Sequence, residues 1–419
     1  MNILLVGGRG FIGGHLLPAL LACGHSVIAT SRTPSSSSRW QVLDLARLAS
    51  EPEHFHWPAD LDLLINAAGV LSPDAHALDA VQNQGACLLF EQAAARGIKV
   101  LQISALGAGQ HADIAFLTSK HQADQHLLNL DVPAVVLRPS LVIGPGGTSS
   151  RWLCCLSVLP LAPLLSTRAR LQPLHIDDLV AAVVGLVARW PGESMVLPLV
   201  GPQLMTQPQM LNVLRAAQGW GPAHYFQLAD GVARLGARLG QWLGWQVLNQ
   251  QVLALSQRDN LADPEPLQMV TGVQPVPLSS RLAGWPDPLL SAALCLRPAL
   301  LLVLFLVWFG TALVCLGPGY GWGLRIMAEA GVHGGVASVA VISGALLDGA
   351  LGLGLLVRRW RRPVLAAQLA LMAGYTLLIS VLLPHYWYDP YMAVGKNLML
   401  MLVTVFLLRV EPRRGRGAR

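Results

Sequence analysis

A short apolar run, Asn2-Ile3-Leu4-Leu5-Val6, passes directly into Gly7-Gly8-Arg9-Gly10-Phe11-Ile12-Gly13-Gly14, and this junction constrains the fold more than any other stretch. The run before the glycines reads as a buried strand, and the pattern Phe11, Ile12, His15, Leu16, Leu17, Leu20 after them has helical spacing. The spacing therefore predicts a strand, a tight turn and a helix. Each glycine has a physical task if the turn holds a dinucleotide. Gly7 turns the chain, Gly10 has no Cβ and lets backbone N–H groups approach a pyrophosphate, and Gly13 lets the helix close on the sheet. The helix N-terminus then meets the phosphates with the positive end of its dipole.

Downstream segments extend the pattern. Ser26-Val27-Ile28-Ala29-Thr30 predicts a second strand ending at Ser31-Arg32-Thr33-Pro34. A carboxylate at this strand end would receive the ribose hydroxyls of NAD, and this chain has Arg32 there instead. Arg32 suits a 2′-phosphate, with Arg9 as a second positive contact, so NADP(H) is expected ahead of NAD(H). The alternative is that Arg32 is a solvated loop residue. Ser35 to Ser38 leaves too little chain for a crossover helix before the next strand, Trp40 to Leu43. Asp44 follows, placed either to reach an adenine edge or to cap the next turn, Ala46 to Ser50. Leu61 to Ile65 is a further buried strand, closed by Asn66-Ala67-Ala68-Gly69, whose small side chains let a cofactor lie against the backbone. A helix from about Leu78 to Arg96, ended by Gly97, leads to the fifth strand, Val100 to Ile103, and to Ser104-Ala105-Leu106-Gly107. The whole predicts an α/β domain of Rossmann type, a doubly wound parallel sheet.

These motifs, with Leu137-Arg138-Pro139-Ser140-Leu141-Val142-Ile143-Gly144-Pro145-Gly146 and Leu174-His175-Ile176-Asp177-Asp178-Leu179, resemble the short-chain dehydrogenase/reductase superfamily in its extended or atypical branch. The resemblance spans about Met1 to Gly201. It implies cofactor contacts from Gly7, Arg9, Gly10, Phe11, Ile12, Gly13, Arg32, Asp44, Ala67, Ala68, Gly69, Lys120 and Pro139. It also implies that Ser104 positions a substrate oxygen, that a tyrosine transfers the proton, and that Lys120, four residues on, lowers the tyrosine pKa and holds the nicotinamide ribose. Position 116 breaks this pattern, because Phe116 stands where the tyrosine belongs. A phenyl ring has no proton to transfer, and losing a general acid typically forfeits about 10² to 10⁴ in rate. Thr118 and Ser119 would need an activating base; His111 and His121 are nearer in chemistry but read first as solvated residues.

Gly201 to about Pro288 reads as a small substrate-side portion, with a helix entry at Thr206-Gln207-Pro208, a helical run from Asp230 to Leu248, and a connector spaced by Pro275, Pro277, Pro286 and Pro288. The first domain thus covers residues 1–290 and a second covers 291–419. Composition changes at this boundary. Only 12% of the chain is charged and 53% is hydrophobic, and the charge-poor runs concentrate after Leu294. Four runs, Pro298 to Leu316, Val336 to Val357, Val364 to Leu383 and Leu398 to Leu408 with its flanks from about Ala393, predict an all-α transmembrane four-helix bundle.

Arginines cluster at positions 358–362 and 413–419, beside apolar segments, so the net charge of +6 reflects membrane topology and not nucleic-acid binding. By the positive-inside rule both clusters, and with them the N-terminal domain, are cytoplasmic. The first domain begins without a secretory leader, and an inner, cytoplasmic membrane is expected. The six cysteines form no metal or disulfide pattern and read as reduced core residues; the histidines, His54 and His56 included, form no metal pair.

The last part, through Leu346-Leu347-Asp348-Gly349, Pro384-His385-Tyr386-Trp387 and Gly395-Lys396-Asn397, resembles the DoxX family of small four-helix membrane proteins, whose relatives are linked to quinone or thiol redox chemistry. Asp348 lies near mid-span, where a carboxylate is costly, so it is functional or satisfied by a neighbour. The expected function is a membrane-tethered NAD(P)H-binding oxidoreductase passing electrons to a quinone or other lipophilic small molecule. A non-catalytic dinucleotide-sensing or assembly module, resembling the accessory subunit of respiratory complex I and acting on a partner protein, is the rival. A nucleotide-sugar epimerase or dehydratase ranks last.

Overall fold

The computed structural model describes residues 1–72, 74–242, 248–390 and 392–411. It forms two compact units, Met1–Ser291 and Ala292–Arg419.

The first unit is built on a seven-stranded sheet. Its strands are β1 (Asn2–Val6), β2 (Ser26–Ser31), β3 (Trp40–Val42), β4 (Leu63–Asn66), β5 (Lys99–Ile103), β6 (Ala134–Pro139) and a last strand, Met195–Leu199. All pair in parallel, in the order Met195–Leu199, β6, β5, β4, β1, β2, β3. Both faces are covered, which is why residues 3–6 of β1 and 63–65 of β4 read as unbroken apolar runs without alternation. Ile3 and Leu5 pack with Leu16 and Leu20 of α1 (Phe11–Ala22) and with Leu179 and Val183 of the helix Ile176–Ala188. Leu4 and Val6 face the other way, against Leu89 and Phe90 of the helix Gly85–Ala94 and Ala123 and Leu127 of the helix Ala115–Leu128. This is the doubly wound arrangement the sequence predicts, and β2 passes to β3 without a crossover helix, as the short serine tract requires.

Several local expectations change. The helix expected from about Leu78 begins at Ala75, because Asp74 caps it by accepting from the His76 N–H at 2.9 Å. It then opens into a wider π turn, Ala80–Gln84, just before Gly85, which lies against the Leu45 backbone with no room for a Cβ. Asp44 serves as the cap of the helix Leu45–Ser50, accepting from the Ala46 N–H at 3.1 Å. Thr206 forms the expected helix entry as a reciprocal capping box with Gln209. The run expected to reach Leu248 is helical over Asp230–Trp242; it then crosses residues outside those described, and Leu248 itself is not helical. The proline-spaced connector is clamped to the first unit: Leu278 and Leu282 are buried, Arg281 pairs with Asp178 at 2.5 Å, and the Val276 N–H donates to the same carboxylate at 3.3 Å. None of the six cysteines forms a disulfide, and Cys23 is exposed at the end of α1 and is not a core residue.

The second unit takes in the helix Pro288–Leu316 from Ala292 onward and the helices Tyr320–Glu329, Gly334–Gly354, Arg361–Leu382 and Ala393–Val410. Among the described residues three of them, Pro288–Leu316, Gly334–Gly354 and Arg361–Leu382, are long and apolar enough to cross a membrane. Leu304 and Trp308 of the first, Leu365 and Met372 of Arg361–Leu382 and Leu407 of Ala393–Val410 form a common core, with Leu351 of Gly334–Gly354 packed against it. The first helix begins well before Pro298, because Asp287 accepts from the Leu289 and Leu290 N–H groups and starts it there. The link between the first two apolar runs, which carries Pro318-Gly319-Tyr320-Gly321-Trp322, is helical from Tyr320. Glu411 joins helix ends, pairing with Arg297 at 2.7 Å and accepting from Arg362 through its backbone carbonyl at 2.7 Å. Asp348 Oδ1 is buried without a hydrogen-bond partner among the described residues, so the expectation that a neighbour satisfies it fails for that oxygen. The basic cluster from Arg413 lies outside the described residues.

Candidate cofactor and reaction site

The order of strands reverses between β1 and β4, and ligands of open α/β sheets bind beyond the carboxyl ends at such a point. The loops after these two strands touch there. Gly7 has φ +79°, and a Cβ on it would lie 2.9 Å from the Ala68 backbone, so only glycine allows this conformation and this approach together. The Gly10 N–H closes the turn on the Gly7 carbonyl at 2.8 Å. A Cβ on Gly13 would lie 2.9 Å from Gly8 Cα, so α1 can seat itself this deeply only with glycine at that position. Gly10 caps α1 without a side-chain hydrogen bond, which leaves the first N–H groups, at Phe11 and Ile12, for a ligand. Phe11 contributes a wall as well: a Cβ on Gly147 would lie 3.2 Å from its ring. Pro139 ends β6, and its carbonyl accepts from the Leu106 N–H at 2.9 Å, supporting the loop after β5.

The carboxyl end of β2 carries positive charge. Arg9 Nη1 donates to Thr33 Oγ1 at 2.7 Å, and its guanidinium lies 5.1 Å from the Trp40 ring centroid. Arg32 is exposed one position before Thr33. These groups fit a phosphate on the adenosine ribose, and a dinucleotide fits the glycine turn.

Lys120 lies deep at the ends of β4 and β5, donating to the Ile103 carbonyl at 3.0 Å and the Ala68 carbonyl at 3.3 Å. Burial pushes its ammonium pKa down to about 8, with Asp124 opposing the shift. Gly69 keeps the approach open, since a Cβ there would lie 3.6 Å from Lys120 Nζ.

Ser104 does not fill the role its resemblance implies. It is buried, and its hydroxyl donates to Asp124 Oδ2 at 2.7 Å, so in this arrangement it has no proton left for a substrate oxygen. Asp124 is the hub the sequence reading missed. Arg138 also bonds it, through Nε at 3.0 Å and Nη2 at 2.9 Å. Burial raises the Asp124 pKa, while Ser104 and Arg138 hold it down. Its spacing was the available signal, since a residue four after Lys120 shares its helix face.

Phe116 is half-buried, and its N–H donates to Gln251 Oε1 at 3.3 Å, so the helix Gln250–Ser256 lies over the start of the Lys120 helix. His111 is engaged by Arg258 Nη1 at 2.8 Å, and Arg258 pairs with Asp113 at 2.5 Å. His121 packs against Gly109, its Nδ1 buried without a hydrogen-bond partner among the described residues. The arrangement can hold a dinucleotide and seat its ribose, and it places no tyrosine beside Lys120: the first unit has one tyrosine, Tyr225, in a separate cluster with Ile143 and Leu211.

Residues 3–197 match the NAD dependent epimerase/dehydratase family, and residues 305–405 match the DoxX-like family. A curated relative, ceramide reductase of Caulobacter vibrioides, is 27% identical over 191 residues, 43% of this chain; the match spans 59% of that protein's length. Among solved structures, UDP-glucose 4-epimerase of Thermotoga maritima has a TM-score of 0.51 at 17% identity, covering 67% of this chain and 96% of its own. MoeE5 in complex with UDP-glucuronic acid and NAD gives the same TM-score of 0.51 at 17% identity, with the same coverage of 67% and 96%. Both likenesses show the fold. The protein therefore carries an NAD-dependent epimerase/dehydratase-type domain at its N-terminus and a DoxX-like domain, with three apolar helices in this region, at its C-terminus.

Proposed function

We propose that the protein is a membrane-tethered NADPH-dependent oxidoreductase that reduces a lipophilic acceptor, a quinone or a lipid ketone. The observation that carries this reading is the buried Lys120, held against the Ile103 and Ala68 carbonyls beside an intact glycine cradle, with Phe116 where a proton donor would stand. A bound nicotinamide would supply a hydride. The chain's own residues do the rest: the Gly7 to Gly13 turn takes the pyrophosphate, Arg9 and Arg32 take the 2′-phosphate, and Lys120 orients the ribose. Phe116 presents an apolar surface to the acceptor, whose proton comes from solvent. Ceramide reductase, the relative named above, is by its name a reductase of a lipid, which favours an apolar substrate here also.

A second reading has its own observation. Ser104 is committed to Asp124 and Phe116 replaces the acid, so a dinucleotide sensor or assembly module uses the same cradle without turnover. Stopped-flow oxidation of bound NADPH by full-length protein in nanodiscs, with a short-chain quinone and with a long-chain ketone lipid, separates the two. Turnover with either acceptor supports the reductase; tight NADPH binding with no oxidation by any acceptor supports the sensor. In either case the orientation expected is a cytoplasmic N-terminal unit on an inner membrane.

A further inference from the structure

The helix Asp230–Trp242 packs on the first unit through its smallest residues. Ala233, Ala237 and Gly240 are buried, and the two alanines meet Leu253 of the helix that covers Phe116. Its large apolar residues point the other way: Val232 is 58% exposed, Leu235 59%, Leu239 50% and Trp242 82%. At 100° per residue these four form one narrow stripe along the helix, and Arg234 and Arg238, both exposed, line one edge of it. An apolar stripe edged by arginines and ended by a tryptophan is the pattern of a helix lying in a membrane interface, where the stripe enters the acyl boundary, the guanidinium groups meet lipid phosphates and the indole sits at headgroup level. The same chain continues into three helices able to cross a membrane, so a bilayer is present wherever this helix is.

We infer that Asp230–Trp242 docks the first unit onto the surface of an anionic phospholipid bilayer, with Val232, Leu235, Leu239 and Trp242 inserted and Arg234 and Arg238 on the headgroups. Lipid is favoured over a protein groove because the stripe is flanked by cations that match phosphate, and each arginine near an anionic surface is worth roughly fivefold in partitioning. The docking is independent of turnover, so it stands whether the first unit reduces or only senses.

The test uses full-length protein in nanodiscs, with the photo-crosslinking residue p-benzoylphenylalanine placed at Leu239 or, as a control, at Gln125, which is exposed on the Lys120 helix. NADPH binding confirms that each variant is folded. Irradiation is expected to give phospholipid adducts at position 239 and not at 125, more in phosphatidylglycerol-containing discs than in pure phosphatidylcholine. Combining the position-239 probe with Arg234→Gln and Arg238→Gln should lower that yield roughly fivefold or more. Adducts to residues 292–411, adducts to a second copy, no adduct, or equal lipid adducts at both positions would each overturn the proposal.

Discussion

Lys120→Met separates what this residue does for the fold from what it does for a cofactor. The Lys120 ammonium is buried and donates to two carbonyls, and burial outweighs the charge of Asp124, so that its pKa falls from 10.5 to about 8. Since one pKa unit corresponds to about 1.4 kcal/mol, holding this charge at pH 7 costs the folded state roughly 3 kcal/mol. Methionine has similar length and no charge. Removing the donor from two carbonyls returns a destabilisation of about 1 kcal/mol each, so the variant without cofactor should be as stable as wild type or about 1 kcal/mol more stable. The sign with pH follows from linkage. The unfolded chain keeps the proton up to pH 10.5 and the folded chain releases it near 8, so Lys120 makes wild-type stability rise through the window between those values. The difference between wild type and variant should therefore shift toward wild type by up to about 3 kcal/mol across that window. Thermal unfolding in detergent by tryptophan fluorescence, at several pH values, measures the difference. NADPH titration completes it: loss of a charged hydrogen bond should weaken binding by about 1.5 to 3 kcal/mol. A variant destabilised by more than 1 kcal/mol at pH 7 that binds NADPH unchanged would refute the reasoning, since Lys120 would then be a strut of the fold.

The remaining predictions concern separate sites. Arg32→Ala should weaken NADPH binding by about 1 to 3 kcal/mol and leave NADH nearly unchanged; equal losses in calorimetric titrations would remove the 2′-phosphate assignment. Asp124→Ala leaves Arg138 without its buried partner and Ser104 without its acceptor, so it should destabilise the first unit by about 3 to 5 kcal/mol in urea titration, whereas a loss under 1 kcal/mol would mean the pair is dispensable. Phe116→Tyr should change turnover on the protein's own acceptor less than threefold, roughly the effect of one added exposed hydroxyl, and a gain of about tenfold or more would show a site built for tyrosine chemistry. Trp360→Cys should resist membrane-impermeant thiol reagents in intact cells while Tyr388→Cys reacts, and the reverse pattern would invert the topology.

The sheet was legible in the sequence because parallel strands covered on both faces are largely apolar: residues 3–6 and 63–65 are apolar throughout, and residues 100–103 are broken only by the buried Gln102. The glycine turn was legible because Gly7 and Gly13 each answer a steric demand that no other residue meets, and a Cβ on Gly10 would lie only 3.0 Å from the Gly7 carbonyl. Side-chain direction was not. Ser104 follows β5 as the resemblance requires, yet whether its hydroxyl turns toward the site or the interior depends on Asp124, twenty residues on, and Arg138, on the neighbouring strand. The helix Asp230–Trp242 fails for the same reason. Apolar periodicity marks a face, but only the packing of Ala233 and Ala237 on Leu253 shows that the large residues turn outward. The helix Tyr320–Glu329 was not legible either, because it lies between two long apolar runs and its glycines and aromatics are weak helix formers.

The two gaps at the reaction site belong together. In the arrangement that the resemblance implies, a serine and a tyrosine both polarise the reacting oxygen, and loss of either alone would leave the other without its partner. Here Phe116 has no hydroxyl and Ser104 has spent its proton on Asp124, so polarisation is absent from both positions at once while the cofactor-holding groups remain. A site that must protonate an alkoxide as it forms would be left with neither donor. An acceptor whose reduced form is stabilised by its own conjugation, as a quinol is, needs no donor at the moment of hydride transfer and can take its proton afterwards from water. On that reading the half-buried Phe116 ring supplies contact area in place of acid, beside the helix reached through Gln251. Quinone therefore ranks above lipid ketone as the proposed acceptor, and the two arms of the NADPH oxidation experiment decide between them.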